Sequence, residues 1–181
     1  VSMNKDWLAI GSPYISSSNG MVYMYRNMST GSNYSWSLYQ KVKASGSITG
    51  AEFGYSLELN KYTGSHSASM VIGCGNPAND QAYYFELTNS MWTQTFVFVP
   101  DYTIQPMTFA NYLPYTPTMN VTNGFGKAVS IYGDSVIIGE YLDRSFYEYS
   151  GSSQYQQGSV YIFERCDQPY VLFQQVFKSY G

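Results

Sequence analysis

The sequence predicts an all-β chain built from three copies of one four-stranded antiparallel unit, on three observations. The first is self-similarity. VSMNKDWLAIG at 1–11 aligns without a gap on VSIYGDSVIIG at 129–139, with Val1/Val129, Ser2/Ser130, Asp6/Asp134, Ile10/Ile138 and Gly11/Gly139 identical. LELN at 57–60 and SMVIG at 69–73 make a looser copy between them, and such repetition marks a repeat architecture. The second is composition. Only 12% of residues are charged while 18% are aromatic, 20 of them Tyr, and this mixture, rich also in Gly, Ser, Thr and Asn, favours strands and turns over helices. The third is periodicity: no window keeps the i, i+3, i+4, i+7 apolar spacing of a helix beyond one turn.

Each unit offers four short strands in order. Strand one carries Phe-Gly and an apolar pair, FGYSLEL (53–59) and FGKAVSI (125–131). Strand two ends in Ile-Gly: WLAIG (7–11), SMVIG (69–73) and SVIIG (135–139). Strand three is aromatic: MVYMY (21–25), AYYF (82–85) and VYIF (160–163). Strand four follows an aromatic lead, in WSLYQKV (36–42), WTQTFVFV (92–99) and YVLFQQV (170–176). Gly133-Asp134 between two apolar runs is a two-residue hairpin turn, since Gly supplies φ > 0 at little cost. Asn19-Gly20 is expected to open the third strand of the first unit in the same way. The first copy starts three or four residues after the point where the others carry Phe-Gly, so the chain is expected to begin inside a strand, as a piece of a longer polypeptide.

The strand pattern narrows the architecture. A strand with one wet face alternates apolar and polar residues, but MVYMY, AYYF, VYIF and SVIIG are apolar on both faces. Sheets covered on both sides fit blades stacked around an axis, which favours a β-propeller of four-stranded blades. The chain then holds blade one at 1–46 with its first strand truncated, blade two at 51–100, a long interblade loop at 101–122 and blade three at 123–181. Three blades make an open arc. Monomers rarely expose apolar patches beyond about 300–600 Å², and at about 25 cal/mol per Å² such a patch represents roughly 7–15 kcal/mol. That rivals the stability of a whole domain. Remaining blades or neighbouring chains are therefore expected at both ends.

These residues resemble a known family. The order F-G-x-x-V-S-I-x-G-D-x-V-I-I-G, then G-S-V-Y-I-F-x-R, then an aromatic-led strand is similar to the FG-GAP repeat, best at 123–165, well at 1–46 and more weakly at 69–100. The family's Gly-Ala-Pro is matched by Gly11-Ser12-Pro13, but by Gly73-Cys74-Gly75 and Gly139-Glu140-Tyr141 elsewhere. The resemblance implies a β-propeller of the kind found in integrin α-subunits and in many surface proteins. Many repeats of the family bind calcium through D-x-D-x-D-G between strands one and two, where alternate oxygen ligands suit a hard cation. The equivalent stretches here, Asn4-Lys5-Asp6, 60–69 and Tyr132-Gly133-Asp134, offer no more than one carboxylate each. No metal or other cofactor is expected.

Other chemistry is thin. A net charge of −3, a pI near 5.0 and the absence of any Lys/Arg cluster argue against nucleic-acid binding, and no apolar run approaches membrane-spanning length. His66 is the only histidine and sits in a polar loop, where a solvated ring outweighs a catalytic one; Cys-His and Ser-His-Asp constellations lack partners. Glu140, Asp143 and Glu148 share the loop 139–158. Paired carboxylates can do glycosidase-like acid–base work, but a solvated acidic loop is the more economical reading. The chain is expected not to be an enzyme. Cys74 follows a second strand and Cys166 a third strand, whose ends lie on opposite faces of an up-and-down arrangement, so the two are expected not to be bonded to each other. Sequons stand at Asn27, Asn33 and Asn120, all between strand candidates, where an acceptor is exposed; occupancy implies secretion.

Recognition is expected on the face that gathers the strand two–three loops and the interblade connections: 11–20, 73–81, 100–122 and 139–158. The last two are long and aromatic, with Tyr102, Phe109, Tyr112 and Tyr115, then Tyr141, Phe146, Tyr147, Tyr149 and Tyr155. Long loops are usually functional or disordered, and Tyr is an efficient interface residue; packing of these rings onto the blades is the competing reading. In integrin-like propellers the equivalent face binds protein ligands. The resemblance therefore implies a non-catalytic extracellular or cell-surface segment mediating protein–protein adhesion or assembly. Carbohydrate binding, and an accessory propeller attached to an enzyme, are the alternatives.

Overall fold

A computed structural model describes residues 1–29, 34–46, 49–61, 67–100, 124–141 and 158–165, and the backbone of 170–173. It contains three four-stranded antiparallel sheets, each with its strands in sequence order. The first holds β1 (Ser2–Met3), β2 (Trp7–Ser12), β3 (Met21–Asn27) and β4 (Trp36–Val42), with a short helical turn α1 (Ile15–Ser18) between β2 and β3. The second holds β5 (Phe53–Leu59), β6 (Ser69–Cys74), β7 (Ala82–Thr88) and β8 (Met91–Phe98). The third holds β9 (Phe125–Tyr132), β10 (Ser135–Glu140), β11 (Ser159–Arg165) and β12 (Tyr170–Phe173). The sheets stack face to face as three blades of a partial propeller, the all-β class the sequence predicts.

Register repeats with the sequence. The Ile of each Ile-Gly pairs with a Tyr of the third strand: Ile10 with Tyr23, Ile72 with Tyr83, Ile138 with Tyr161. The Phe-Gly strands share a bulge. Phe53 pairs with Cys74 but the next pair is Ser56 with Gly73, and Phe125 pairs with Glu140 while the next is Ala128 with Gly139. Gly54 and Gly126 sit in those bulges at φ +89° and +90°, a region open to glycine and costly to other residues. The bulge is why glycine follows phenylalanine.

The same alternation that builds each strand divides the core in two. Blades one and two meet through Ala9, Val22 and Met24 on one side and Met70, Ile72, Tyr83 and Phe85 on the other. Blades two and three meet through Val71, Ala82 and Tyr84 against Val136, Ile138, Tyr161 and Phe163. Blade two is therefore covered on both faces, and every residue of β6 is buried. The end blades differ from the two-sided burial their strands predict. Tyr23 and Tyr25 are only half-buried, Val160 and Ile162 likewise, and Ile137 is 42% exposed. The reason is positional: a strand apolar on both faces needs a neighbour on each, and among the described residues the end blades have one.

Backbone contact locks the stack. A β-carbon on Gly11 would collide with the carbonyl of Gly54, and one on Gly73 with that of Gly126. Polar clamps run beside these contacts. The Gln40 amide grips the backbone of Trp92, donating to its carbonyl at 2.9 Å and accepting its N–H at 2.8 Å. Asn60 does the same to Gly133, at 2.8 and 3.1 Å, and Asn4 donates to the Asn60 carbonyl at 3.3 Å. Ring pairs Trp7–Trp92 and Phe98–Phe163, with centroids 5.2 and 4.7 Å apart, fill the spaces between.

Turns follow local chemistry. Gly133 takes φ +59° as the first central residue of the β9–β10 hairpin, as expected. The β2–β3 connection does not turn tightly at Asn19-Gly20. It is a longer loop in which Ser16, Ser17 and Ser18 all hold φ between 55° and 62°, capped by Gly20 N–H donating to the Ile15 carbonyl at 3.2 Å. In the β7–β8 hairpin Asn89 and Ser90 hold φ of 51° and 61°, the two-positive pattern of a type I′ turn that prefers glycine at its second position.

Two stability changes are expected in urea titrations. Asn60→Ala strands the Gly133 N–H and carbonyl and destabilises the chain by about 2–3 kcal/mol. Ser90→Gly relieves a left-handed backbone and stabilises it by about 0.5–1 kcal/mol.

Candidate functional site

The candidate site is the rim where the second strands end and the first strands begin. In blades one and two the strand two–three loop grips the start of the next blade's first strand. In blade one, the Ser18 carbonyl accepts the Glu52 N–H at 2.7 Å and the Asn19 side chain accepts the Gly50 N–H at 3.0 Å. In blade two, Asp80 accepts the N–H groups of Gly124 and Phe125 at 2.9 and 3.1 Å. Asn76 reaches back to the Gly50 carbonyl at 2.7 Å while its own Oδ1 accepts the Ala78 N–H. These short polar side chains suit loops because they complete turns with their own backbone. The rim is thus a hydrogen-bonded frame rather than a row of independent loops.

Exposed aromatics stand on this frame. Tyr14 (66% exposed) follows β2 of blade one, Tyr55 (43%) lies in the bulge of β5, and Tyr141 (47%) follows β10. Lys127 lies between the last two. Its ammonium is 4.1 Å from the Tyr55 ring centre and 5.5 Å from that of Tyr141, and it donates to the Gly75 carbonyl at 2.8 Å. A cation over aromatic faces is attracted by the ring quadrupole, so Lys127 stitches blade two to blade three and orients both rings. Tyr141 is held from behind by Gly124, whose missing side chain makes room for its ring.

Of the binding-face residues expected from sequence, Tyr141 stands on the rim. Tyr102, Phe109, Tyr112, Tyr115, Phe146, Tyr147, Tyr149 and Tyr155 lie outside the described residues, as do His66, Asp143, Glu148, Asn33, Asn120 and Cys166. Tyr55 and Lys127 escaped the sequence reading because a regular strand points neither at a rim; the Gly54 and Gly126 bulges, signalled by Phe-Gly, were the clue.

Two expectations need correction. Glu140 is not in a solvated loop: it is the last residue of β10, 1% exposed, and its carboxylate accepts the Tyr161 hydroxyl at 2.5 Å. The alternation of β10 turns it inward beside Val136 and Ile138, where a buried carboxylate needs hydrogen-bond partners. Asn27 is not between strands but the last residue of β3, paired with Trp36. Its Nδ2 donates to the Lys5 carbonyl at 3.1 Å and its Oδ1 accepts from the Ser29 N–H and hydroxyl. Among the described residues no group of three or more His, Cys, Asp and Glu is placed to hold a metal, and no helix is long and apolar enough to cross a membrane.

Cys74 is a free, buried thiol at the end of β6. Burial, with the nearby Glu52 charge adding to it, pushes its pKa up to about 12. Tyr83 beside it is also pushed up to about 12, again by burial and then by Cys74.

The comparisons with known proteins agree with this geometry. The FG-GAP repeat family model matches residues 120–163, the stretch that leads into blade three and runs through β9, β10 and most of β11. That segment is similar to an FG-GAP repeat, and blades one and two share its strand order and its Ile–Tyr register. The fold is thus a partial propeller whose third blade is similar to an FG-GAP repeat. No curated protein sequence matches the chain.

Cys74 supplies a test of this packing. Both raised groups are neutral acids whose unfolded forms lose their protons first, so their contribution to stability is full below about pH 9 and falls as pH rises toward 12. A urea midpoint that declines over that window is expected. At pH 8 iodoacetamide alkylates Cys74 only after unfolding, read by mass spectrometry.

Proposed function

We propose that this chain is a non-catalytic segment of an extracellular β-propeller that serves protein–protein adhesion or extracellular assembly. Further blades or neighbouring chains cover the two ends of its arc. One observation carries the reading: a hydrogen-bonded rim presents an exposed tyrosine from each blade, with Lys127 between two of them. Tyrosine supplies large contact area with little rotamer entropy to lose, and a hydrogen-bonded frame lowers the cost of ordering it on binding. The cation adds complementarity to acidic partners. Carbohydrate binding is the second reading, favoured by the same exposed rings, whose flat faces suit stacking against sugars.

The test presents the immobilised chain to a panel of extracellular-matrix proteins and cell-surface ectodomains, beside a glycan array. Binding to a protein is expected. Tyr141→Ser weakens it by about tenfold or more, while Met91→Ser, at the exposed β7–β8 hairpin on the opposite rim, leaves it unchanged. Binding confined to glycans moves the assignment to the second reading. Silence on both panels, or equal losses from the two variants, removes the rim from consideration.

A further inference from the structure

The outer face of blade three repeats, residue for residue, the two faces that are filled inside this chain. Ala9, Val22 and Met24 of blade one pack on blade two, and their equivalents Val71, Ala82 and Tyr84 of blade two pack on blade three. The next set in the series is Ile137, Val160 and Ile162. Register confirms the equivalence, since Gly11 pairs with Val22, Gly73 with Ala82 and Gly139 with Val160. Yet Ile137 is 42% exposed and Val160 and Ile162 are half-buried.

Glycine is the second, separate sign. Gly11 and Gly73 each lack a side chain because the carbonyl of the next blade's Phe-Gly glycine occupies the space where a β-carbon would stand. Gly139 ends the same Ile-Gly strand. Around it, among the described residues, only Ala128 of its own sheet comes near, with its β-carbon at 3.4 Å and its carbonyl at 3.7 Å. Its φ is not in the left-handed region, so backbone conformation does not call for glycine here. A glycine with room for a side chain, at the rim end of an apolar face, is explained by a backbone that seats on it.

We propose that the Gly139 face of blade three is a docking surface for a fourth blade, entered by a bulged strand whose Phe-Gly carbonyl meets Gly139. The occupant is a further unit of this same type and not a second copy of this chain. Both Phe-Gly strands of the chain are already enclosed, with Phe53 and Phe125 at 0% exposure, so a second copy has no free Phe-Gly strand to offer. The inference rests on the reading that further blades cover the ends of the arc. It adds which residues receive one and what motif the incoming unit carries.

The experiment compares Gly73→Ala with Gly139→Leu in two polypeptides: the 181-residue chain, and that chain extended at its C-terminus by a duplicate of residues 43–100 as the probe. In the unextended chain, Gly73→Ala is expected to lower the folding equilibrium constant by roughly tenfold to a hundredfold, the range for overpacking a closed contact, and Gly139→Leu to leave it unchanged. In the extended chain the urea midpoint rises, and Gly139→Leu cancels the rise. A loss from Gly139→Leu in the unextended chain equal to that from Gly73→Ala would show that Gly139 serves an internal contact, and would overturn the proposal. If the duplicate raises the midpoint regardless of Gly139, the Gly139 assignment fails while the reading of covered ends stands. If the duplicate unfolds separately or not cooperatively at all, both fail. Self-association of the unextended chain, measured by sedimentation and abolished by Gly139→Leu, would assign the face to a second copy instead.

Discussion

The arrangement depends on how closely two backbones approach at the blade interfaces. Where Gly11 faces Gly54 and Gly73 faces Gly126, no side chain separates the sheets. That approach sets the spacing at which larger residues on either side close-pack, and protein interiors reach crystal-like density only when such spacing is matched by side-chain volume. It also requires the Phe-Gly strand to bulge, so that its glycine presents a carbonyl and not a side chain to the neighbour. One steric constraint thus links the two most regular features of the sequence, the Ile-Gly at the end of strand two and the Phe-Gly at the start of strand one.

Polar groups reinforce the same direction of assembly. Gln40, Asn60 and Asp80 each reach from one blade to backbone groups of the next. A side-chain amide that both donates and accepts satisfies a peptide unit on the neighbouring blade, which an apolar residue would leave unpaired at a cost of about 1–3 kcal/mol. Such contacts specify which blade follows which, as well as stabilising the pair. Arg165 adds an ion pair to Glu86 across the second interface, partly shielded from solvent and so less screened than a surface pair.

The proposed binding role follows from what this construction leaves over. The interiors of the blades are spent on packing, and the strand ends on one rim are tied together into a frame. Side chains that project from the frame, Tyr14, Tyr55 and Tyr141, are therefore held by the blades while remaining open to a partner. Glu140 illustrates the converse: a carboxylate one residue before Tyr141 is drawn into the core and satisfied by Tyr161, and takes no part in the exposed surface.

Repetition, strand order and the four-strand unit were legible in the sequence, because a repeat must write the same steric solution each time it occurs. The strand candidates coincide closely with β2 to β11, and the Gly133-Asp134 turn with its hairpin, since these depend on local pattern and backbone freedom. What only the tertiary structure decided is where each face and each side chain ends up. MVYMY and AYYF look alike as strings, yet one belongs to an end blade and the other to a blade enclosed on both sides. Tyr55 and Lys127 reach the rim only through a bulge, and Glu140 leaves a supposed loop for the core by the alternation of its strand. A sequence states the period of a strand directly, but burial is a property of neighbours, and neighbours are set by how the blades stack.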